Sequence, residues 1–519
     1  MAALWAEASL REPAHREASI CYAGRKMQDG SLLAAVDLGS NSFRLEIGRF
    51  DHGQISRVEY LKETVRQGGG LDEARNLTPP AMQRGWDCLA RFAERLAGFG
   101  KRQVRAVATQ TLREARNRES FLKRASEILG FPIEVISGRE EARLIYLGVA
   151  HLLPQSDERR LVVDIGGRST ELILGRAFDA STMESYRVGS VAWSMKHFPQ
   201  GQFTESAFRA AEVAAKAVLD EAQGAYPREG WDAAYGSSGT IGAVGDVLSA
   251  AGWGAATINR EGLDWLQEQL LAARSADKIK LAGLKDDRRP VIGGGLAVLR
   301  AVFDLLDIEE LMPAEGALRH GALFDLLDRE HMETDIRSIT VQRLAAKFGV
   351  DAAQAKRVGR VACQLLRQLR PGDGGDTQRH ERKLEWAAQL HEIGSAISHS
   401  DYHKHGAYIL DNTDAPGFAW PEMHRLGLLV FGHRGKLRKL DADFDDELFV
   451  HQLMSLRLAV ILCHARRDPD TRGMQLRAGT KRVALAMRPD WAASFPQSAH
   501  LLREEMVAWE KTSWSLAVS

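Results

Sequence analysis

The sequence predicts an α/β protein with one duplicated domain, followed by an all-helical region and a small α+β segment. The first observation is an internal repeat, in which AAVDLGSNSFRLEIG (34–48) matches LVVDIGGRSTELILG (161–175) at a constant separation of 127 residues. A repeat of that length indicates a duplicated domain rather than a solenoid. The second observation is helical spacing of apolar residues from about residue 334, and the third is the return of strand-like segments after residue 473. With 519 residues, the chain has room for three or four domains.

Composition and charge exclude several classes of protein. Apolar residues make up 45% and charged residues 27% of the chain, as in an ordinary soluble globular protein. Lysine plus arginine and aspartate plus glutamate both total 69, so no net field attracts the chain to nucleic acid or to a membrane surface. A polyanionic ligand would therefore be held by local basic clusters.

The spacing of the cysteines and the length of the apolar runs indicate where in the cell the protein is located. The four cysteines are widely spaced and form no CxxC pair, which argues against a disulfide framework and a thiolate zinc site. No run of about 18 apolar residues is present, so we predict no integral membrane association. The first 30 residues lack the apolar centre of a secretory signal, and we interpret residues 1–30 as a mobile tail. Together these features predict a cytoplasmic protein.

Each copy of the repeat predicts a β-hairpin whose turn can hold phosphate. A buried-strand pattern (LLAAVDL, RLVVDI) leads into a turn of small polar residues and continues as a second apolar strand. Glycine lets the backbone approach an anion closely, and Ser and Asn side chains add neutral donors. A single hairpin of this kind could be an ordinary tight turn, but a duplicated fold brings two such turns to opposite walls of one cleft. The predicted phosphate-binding residues are Gly39, Ser40, Asn41, Ser42, Gly166, Gly167, Arg168 and Ser169.

A third candidate phosphate site lies between a predicted strand and a predicted helix in AAYGSSGTIGAVGDV (233–247). Its small residues leave backbone N–H groups free at a helix N-terminus, where anions bind. The candidates are Gly236, Ser237, Ser238, Gly239 and Thr240. The alternative is that close packing of the helix on the strand requires these glycines.

Two further segments carry candidate catalytic side chains. Arg113 lies where a predicted strand meets a helix in ATQTLREARN, and an arginine there can pair with phosphate or simply extend into solvent. Glu140 and Glu141 fall in the first turn of the helix that follows FPIEVISG. Carboxylates are common at that position for stability alone, so the pattern by itself leaves their role open.

These motifs, in this order, resemble the exopolyphosphatase and guanosine pentaphosphate phosphatase family of the actin-like and sugar-kinase-like ATPase superfamily. The resemblance extends from Leu32 to the C-terminus. It rests on VDLGSNSFRL, ATQTLREARN, SGREEARLIYLG, VVDIGGRSTELILG, YGSSGT, GALRHG and LEWAAQLHEIGSAISHSDYHKHGAYIL. It implies two actin-like (ribonuclease H-like) domains at 31–145 and 146–330, a helical domain at 334–467 similar to the HD phosphohydrolase fold, and a small α+β domain at 468–519.

The resemblance also implies roles for individual residues. Glu141 would be the general base that orients and deprotonates the attacking water, and Arg113 would neutralise the charge that develops on the phosphoryl group. Asp37, Asp164 and Glu171 would hold Mg²⁺, a hard cation that binds carboxylate oxygens and retains several waters. The resemblance further implies K⁺ as a candidate activator and a homodimeric assembly.

Two positions depart from the family pattern. Arg168 occupies the place of a third glycine in the second turn, where it would narrow access or add a positive contact to the substrate. His320 occupies the place of a glutamate in GALRHG, which leaves its pairing open.

The helical region departs from an active HD metal site. His391 and Glu392 replace the His-Asp pair, and Val460 stands where a later aspartate would fall, so we predict no working metal centre there. Local basic clusters would instead line a path for polyphosphate, although solvated loop charge is the alternative for each cluster. The residues of this predicted path are His403, Lys404, His405, Arg434, Lys436, Arg438 and Lys439.

The sequence thus predicts an exopolyphosphatase that hydrolyses terminal phosphates from inorganic polyphosphate and releases orthophosphate. The alternative within the family is hydrolysis of guanosine pentaphosphate to the tetraphosphate by the same chemistry. A nucleotide-dependent kinase or a nucleotide sensor on the same fold is less favoured. The reason is that the chain offers a candidate water-activating glutamate and no sugar-type substrate motif that we identify.

Overall fold

The structure is a computed structural model, and it describes residues 29–52, 54–253, 257–329, 335–371 and 377–519. The predicted N-terminal tail falls almost wholly on residues 1–28, which lie outside the described part of the chain. Within the described ranges, no helix is both long and apolar enough to cross a membrane.

The first lobe is built on one mixed sheet. Its elements are β1 (Leu32–Leu38), β2 (Ser42–Asp51), β3 (Gln54–Thr64), α1 (Pro79–Arg95), β4 (Val104–Ala108), α2 (Gln110–Glu114), α3 (Arg118–Leu129) and β5 (Ile133–Val135). In the sheet order β3-β2-β1-β4-β5, the first three strands are antiparallel, whereas β4 and β5 run parallel to β1. Ala34 and Val36 of β1 share a core with α1 and α3, while Leu33 and Ala35 face the opposite side. Because both faces are covered, β1 is apolar along most of its length.

The second lobe repeats this plan with added helices. Its elements are α4 (Gly138–Leu152), β6 (Arg159–Ile165), β7 (Thr170–Arg176), β8 (Asp179–Tyr186), α5 (Ser190–His197), α6 (Glu205–Leu219), α7 (Ala222–Ala225), β9 (Ala233–Ser237), α8 (Ser238–Ala250), β10 (Ile258–Asn259), α9 (Arg260–Ala273), α10 (Ile292–Leu306), β11 (Glu310–Pro313) and α11 (Leu318–Asp328). The sheet order is β10-β11-β9-β6-β7-β8. Read from β8, it has the same antiparallel β8-β7-β6 meander beside the parallel strands β9 and β11. The strand order therefore reproduces the duplication predicted from the sequence.

The boundary between the lobes differs from the predicted one. Helix α11, which the sequence placed in the domain at 146–330, packs on the first sheet, where Leu323 shares an apolar core with Leu33 of β1. Helix α4 packs on the second sheet, because Ile145 lies in a core with Val162 of β6. Both helices therefore cross between the lobes and join them. Helical periodicity locates such helices in the sequence but does not indicate the sheet on which they pack.

The C-terminal part contains a helical bundle and a three-stranded sheet. Its elements are α12 (Ile336–Lys347), α13 (Ala352–Leu369), α14 (Thr377–Leu390), α15 (Tyr402–Asp411), α16 (Trp420–Gly432), α17 (Glu447–Leu462), β12 (Gln475–Gly479), β13 (Arg482–Ala486), α18 (Trp491–Ser494), α19 (Pro496–Trp509) and β14 (Ser515–Val518). Leu485 and Trp509 of the last segment share one apolar core with Val358 of α13 and Leu453 of α17. The predicted division into 334–467 and 468–519 therefore does not correspond to two separate cores. The similarity of the bundle to the HD fold stays a prediction.

The C-terminal part docks directly behind α4. Ala419 forms a backbone bridge with Ile136, and the N–H of Gly417 donates to Glu140 Oε2 at 2.6 Å. Glu140 is fully buried and also accepts hydrogen bonds from Arg105 and Arg143. Burial raises the pKa of Glu140, but the charges and hydrogen bonds of these arginines outweigh it and hold the pKa below its ordinary value. Glu140 is therefore a structural anchor of α4.

Candidate active site

A cleft of about 380 Å³ lies between the two lobes, and both repeated turns line it. A Cβ on Gly39 would lie 2.9 Å from the carbonyl oxygen of Ser42, and a Cβ on the equivalent Gly166 would lie 3.1 Å from that of Ser169. Only glycine allows so tight a turn without displacing the backbone. Residues 39–42 and 166–169 therefore form matching loops that face each other across one cleft.

Several buried polar atoms beside the first turn have no hydrogen-bond partner among the described residues. They are Asp37 Oδ1, Asn41 Nδ2 and Ser42 Oγ. Because buried polar groups are normally paired, unpaired ones at a cleft wall are available to a ligand. The amide and the hydroxyl can donate to phosphate oxygens, and the carboxylate oxygen suits a cation.

Glu141 lies at the cleft wall in the first turn of α4. The Ser137 hydroxyl caps this helix by accepting the N–H of Glu140 at 3.2 Å. Arg113 Nη1 donates to Glu141 Oε2 at 2.7 Å. Burial raises the pKa of Glu141 above its ordinary value; Arg113 opposes this shift and the charge of Asp37 adds to it. A carboxylate with a raised pKa at a cleft wall can accept a proton from a bound water.

Arg113 lies behind Glu141 rather than in the cleft lining. Its guanidinium also donates to the carbonyl oxygen of Ile136 at 3.0 Å and twice to Gln110 Oε1, at 2.6 and 3.0 Å. These contacts fix the orientation of the Glu141 carboxylate. The structure thus places Arg113 against Glu141 and outside the cleft lining, and its direct charge contact with the phosphoryl group stays a prediction.

Asp164 and Glu171 form a second pair of carboxylates, directly opposite each other in the β6/β7 ladder. Burial raises the pKa of Asp164 to about 7, and the charges of Glu141 and Asp37 add to the shift. Burial and the charges of Glu141 and Asp164 raise the pKa of Glu171 well above its ordinary value. Ser185 donates to Glu171 Oε1 at 2.7 Å, while Oε2 is unpaired. Asp164 lines the cleft, and Glu171 lies behind it.

The three residues predicted to hold Mg²⁺ suit a cation chemically but do not form a compact cage. Unpaired oxygens on Asp37 and Glu171 and mutual repulsion among the carboxylates favour a bound cation. However, the ligand atoms of Asp37, Asp164 and Glu171 do not all lie within 4.8 Å of one another. Among the described residues, the one group of at least three possible ligands that meets this distance is the exposed set Asp29, Asp51 and His52. Because Mg²⁺ is usually held by one or two carboxylates, waters and substrate phosphates, an open site still fits it.

The turn between β9 and α8 forms a third part of the cleft. Ser238, Gly239 and Thr240 line it, whereas Gly236 packs in the interior and the Ser237 hydroxyl donates to a backbone carbonyl at 2.7 Å. Ser238 has a φ of 91°, in the left-handed region that is unfavourable for serine. Such a conformation costs roughly 1–3 kcal/mol and is typical of ligand-binding sites. Three of the five residues predicted in this turn therefore reach the cleft.

The sequence analysis missed six basic or aromatic side chains that line the cleft. They are Arg44, Tyr60, Lys62, Lys285, Arg288 and Arg319. Arg288 lies so close to Gly239 that a Cβ there would be 2.1 Å from its Nη2. The guanidinium carbon of Arg319 lies 4.9 Å from the centre of the Tyr60 ring. These cations lie beside carboxylates, since Arg44 pairs with Asp37, Lys62 with Asp287 and Arg319 with Glu46. A polyanion bound in the cleft would compete with those carboxylates for the cations.

A sequence signal existed for Arg44 but not for the more distant cations. Ser42, Arg44 and Glu46 alternate with apolar residues in β2 and so share one face of a largely buried strand. A buried-strand arginine next to a phosphate-sized turn is a candidate ligand for an anion. Lys285 and Arg288 lie in a segment between α9 and α10 where no periodic pattern indicates which side chains face inward.

Arg168 extends from the second turn to the first lobe. Its Nη1 donates to the carbonyl oxygen of Gly68 at 3.0 Å, and its Nη2 donates to Glu114 Oε2 at 2.7 Å. The side chain does not line the cleft. Neither predicted effect, narrowing of access or contact with the substrate, describes this arrangement.

His320 pairs with Glu46. Its Nδ1 accepts the N–H of Ala317 at 3.0 Å, so the neutral ring carries its proton on Nε2, which lies 3.1 Å from Glu46 Oε1. Burial lowers the pKa of His320. Burial raises the pKa of Glu46, but the hydrogen bond from His320 and the charge of Arg319 outweigh it and lower the pKa to about 2. The pairing that the sequence left open is thus a hydrogen bond to a carboxylate of β2.

The seven residues of the predicted polyphosphate path do not line the cleft. His403 is 8% exposed, and its ring lies 5.5 Å from that of Phe431, so little of its side chain is accessible to a ligand. Lys404 pairs with Asp401 at 2.7 Å, and His405 is half-buried. The remaining residues of the path are exposed, and for them it stays a prediction. They are Arg434, Lys436, Arg438 and Lys439.

Comparison with known proteins agrees with this geometry. Residues 47–330 match the Ppx/GppA phosphatase family, and residues 336–508 match domain III of Ppx/GppA phosphatases. The chain is 38% identical over 493 residues to a guanosine-5'-triphosphate,3'-diphosphate pyrophosphatase of Vibrio atlanticus. This match covers 94% of the chain and 98% of the relative. The resemblance found in the sequence is thereby confirmed.

Solved structures match more than half of the chain in fold. An exopolyphosphatase-like protein is 26% identical with a TM-score of 0.52, covering 57% of this chain and 98% of its own. An exopolyphosphatase from Cytophaga hutchinsonii is 23% identical with the same TM-score and coverage, a likeness of fold alone. The chain therefore belongs to the Ppx/GppA phosphatase family.

Proposed function

We propose that this protein hydrolyses the terminal phosphoanhydride bond of guanosine pentaphosphate, releasing orthophosphate and guanosine tetraphosphate. The name of its Vibrio relative supports this substrate better than inorganic polyphosphate, which the sequence analysis placed first. The observation that carries the hydrolytic chemistry is the position of Glu141 on the wall of a cleft between two matching phosphate-sized turns.

In the proposed reaction, a water oxygen attacks the terminal phosphorus and the bond to the bridging oxygen breaks. The bridging oxygen keeps the electron pair and leaves on the diphosphate, while Glu141 accepts the proton of the water. The raised pKa of Glu141 suits this transfer, because a base works best when its pKa lies near the operating pH. Arg113 holds the carboxylate towards the cleft through the contact at 2.7 Å.

The terminal phosphate would lie between the turns. The unpaired Asn41 amide and Ser42 hydroxyl would donate to its oxygens from one wall, and Gly167 and Ser169 would do so from the other. Asp37 and Asp164 would hold Mg²⁺ at the cleft, and the bound cation would favour ionisation of Glu171 behind them, whose pKa burial raises. Mg²⁺ bound there would neutralise charge on the phosphate oxygens.

The rest of the substrate would contact the five cations that line the cleft. Guanosine pentaphosphate carries phosphates on both sides of its ribose, so it presents more charge to the protein than a simple nucleoside triphosphate. Those cations are Arg44, Lys62, Lys285, Arg288 and Arg319, and the substrate phosphates would replace or share their carboxylate partners. The Tyr60 ring, with Arg319 at 4.9 Å, offers a face on which a guanine base can stack.

Inorganic polyphosphate is the second candidate substrate. The same row of cations could hold a linear chain of phosphates, and this observation favours it independently of any relative's name. Because polyphosphate has no base, it would make no use of the Tyr60 ring. The two candidates therefore differ in what they require of one aromatic side chain.

The test measures orthophosphate released by the purified protein from guanosine pentaphosphate, long-chain polyphosphate or ATP, each with Mg²⁺. We expect kcat/KM for guanosine pentaphosphate to exceed that for the other two by about tenfold or more. A higher value for polyphosphate would make the chain an exopolyphosphatase. Release from none of the three would overturn the hydrolase proposal.

Three further properties are proposed, two of them on the resemblance and the cytoplasmic location on the cysteine spacing and the lack of long apolar runs. They are a homodimer, a cytoplasmic location and activation by K⁺. Light scattering of the purified protein, cell fractionation and assays with K⁺ replaced by Na⁺ would test them in turn.

A further inference from the structure

A side-chain contact joins the lobes outside the cleft lining. Arg168 belongs to the second turn, and its guanidinium donates to Glu114 of α2 and to the Gly68 carbonyl oxygen, both in the first lobe. The side chain of Arg168 is 20% exposed and that of Glu114 is 12% exposed, so water screens the pair only partly. We call this ion pair the Arg168–Glu114 latch.

The latch lies where the two turns touch. A Cβ on Gly167 would lie 3.1 Å from the Cβ of Ser40, and one on Gly68 would lie 3.0 Å from Cδ of Arg168. The lobes are therefore in van der Waals contact at this point. Any opening of the cleft there must separate Arg168 from Glu114.

Helix α2 connects the latch to the candidate base. Gln110 Nε2 donates to Glu114 Oε1 at 2.6 Å, and Gln110 Oε1 accepts from Arg113 at 2.6 Å. Arg113 in turn donates to Glu141 at 2.7 Å. The chain of contacts thus runs from Arg168 of the second lobe to Glu141 without a gap.

The same helix holds the first turn, since Thr111 Oγ1 donates to Ser40 Oγ at 2.8 Å. Burial raises the pKa of Glu114, but the hydrogen bond from Gln110 and the charges of Arg168 and Arg187 hold it below its ordinary value. Glu114 is therefore ionised at neutral pH and can pair with Arg168. A helix of five residues thus contacts the phosphate-binding turn and carries Arg113, which contacts Glu141.

We propose that Arg168 is a positioning residue that fastens the second lobe to α2 and thereby holds Glu141 in its working orientation. Arg168 touches neither the cleft nor Glu141, so it acts through Glu114, Gln110 and Arg113. The kinetic consequences of this inference rest on the proposed function. The ion pair between the lobes does not depend on which phosphate compound is hydrolysed.

The kinetic test compares Arg168→Ala, Glu114→Ala and the double variant on guanosine pentaphosphate. We expect kcat to fall about tenfold in each, equivalent to about 1.4 kcal/mol, with KM changed less than about twofold. Because both substitutions break one contact, the double variant should lose no more than either single one. The reversed pair Arg168→Glu with Glu114→Arg should recover most of kcat. Arg176→Ala, at an exposed position in the same lobe, is the matched control and should be unaffected.

A second measurement does not depend on catalytic activity. Backbone hydrogen exchange, followed by mass spectrometry, should become faster in residues 39–42 and 110–114 of Arg168→Ala, and remain unchanged in the C-terminal bundle. Unchanged exchange in those segments would overturn the latch even if the wild type hydrolyses neither substrate. Additive losses of kcat in the double variant, or no recovery in the reversed pair, would overturn the proposed path through Glu114.

Discussion

Asp164 lies directly opposite Glu171 in the second hairpin, whereas the equivalent positions of the first hairpin pair Asp37 with Arg44. In the first hairpin, Arg44 Nη1 lies 3.0 Å from Asp37 Oδ2, so the two charges compensate each other. In the second, two buried carboxylates adjoin each other, and the charge of Glu141 reaches both. The duplication has therefore kept the backbone, but the first hairpin carries a compensated ion pair and the second carries two carboxylates whose ionisation burial disfavours.

This difference predicts a pH-dependent stability. Burial raises the pKa of Asp164 to about 7 in the folded protein, compared with about 3.9 in an unfolded chain. Between these values the folded protein retains a proton that the unfolded chain has lost, so stability falls as pH rises from about 4 to about 7. As pH rises from 5 to 8 without Mg²⁺, we expect the Tm of Asp164→Asn to fall less than the Tm of the wild type. Each kcal/mol corresponds to about 2–4 °C.

The control for this measurement is Asp157→Asn, which changes an exposed carboxylate in the same lobe. It should follow the wild type at both pH values. An equal fall of Tm in Asp164→Asn and the wild type would contradict the shifted pKa of Asp164.

A bound cation should oppose the loss of stability that occurs as pH rises. Mg²⁺ would stabilise the ionised carboxylates of Asp37 and Asp164, so it should raise Tm more at pH 8 than at pH 5. At 100 times the dissociation constant, one bound ion stabilises the folded state by about 2.7 kcal/mol. Thermal unfolding with and without Mg²⁺ at both pH values measures this. Asp164→Asn should lose most of the increase, and an increase of the same size in that variant would place the ion elsewhere.

Much of the site could be predicted because its backbone carries a strong local signal. Asp37 and Asp164 end buried strands, and the glycines at 39 and 166 follow them directly, so composition alone located both turns. Their meeting in one cleft followed from the duplication. Glu141 was found through the family resemblance, since its position at a helix N-terminus is equally typical of a stabilising carboxylate.

The remainder depended on contacts between distant parts of the chain. Arg168 was predicted to meet the substrate, but its partner Glu114 lies 54 residues away in the first lobe, and no local pattern indicates such a pairing. The same holds for Arg288, which reaches the cleft from an irregular segment, and for His403, whose burial depends on the packing of the bundle. Sequence patterns indicate which side chains share one face of a helix or strand, but they do not indicate which of these faces pack against each other.

Removal of the candidate base tests the chemistry most directly. Glu141→Gln keeps the shape of the side chain but cannot accept the proton of the attacking water. We expect kcat to fall by roughly 10²–10⁴, with the fold and substrate binding retained. Steady-state kinetics, circular dichroism and equilibrium binding of guanosine pentaphosphate measure the three properties. Glu119→Gln, at an exposed first-turn position of α3, is the control and should behave as the wild type. A near-normal kcat in Glu141→Gln would mean that Glu141 is not the general base.

Arg113 should set the pH at which Glu141 works. Its charge and hydrogen bond oppose the rise that burial causes in the pKa of Glu141. In Arg113→Gln that opposition is lost, so Glu141 should stay protonated to higher pH and the acid limb of the kcat/KM profile should move upward. Arg118→Gln, which removes a neighbouring arginine that stacks on Trp420, should leave the limb in place. An unmoved limb in Arg113→Gln would mean that another group controls it.

Tyr60 should distinguish the two candidate substrates. Its ring lies in the cleft beside Arg319, and stacking of a base on an aromatic ring contributes about 1–3 kcal/mol. Tyr60→Ala should therefore lower kcat/KM for guanosine pentaphosphate about tenfold and that for polyphosphate less than about twofold, while Tyr60→Phe keeps both. Tyr408→Ala, at an exposed position in the C-terminal bundle, is the matched control. Equal losses on both substrates would mean that the ring supports the position of Arg319 instead of holding guanine.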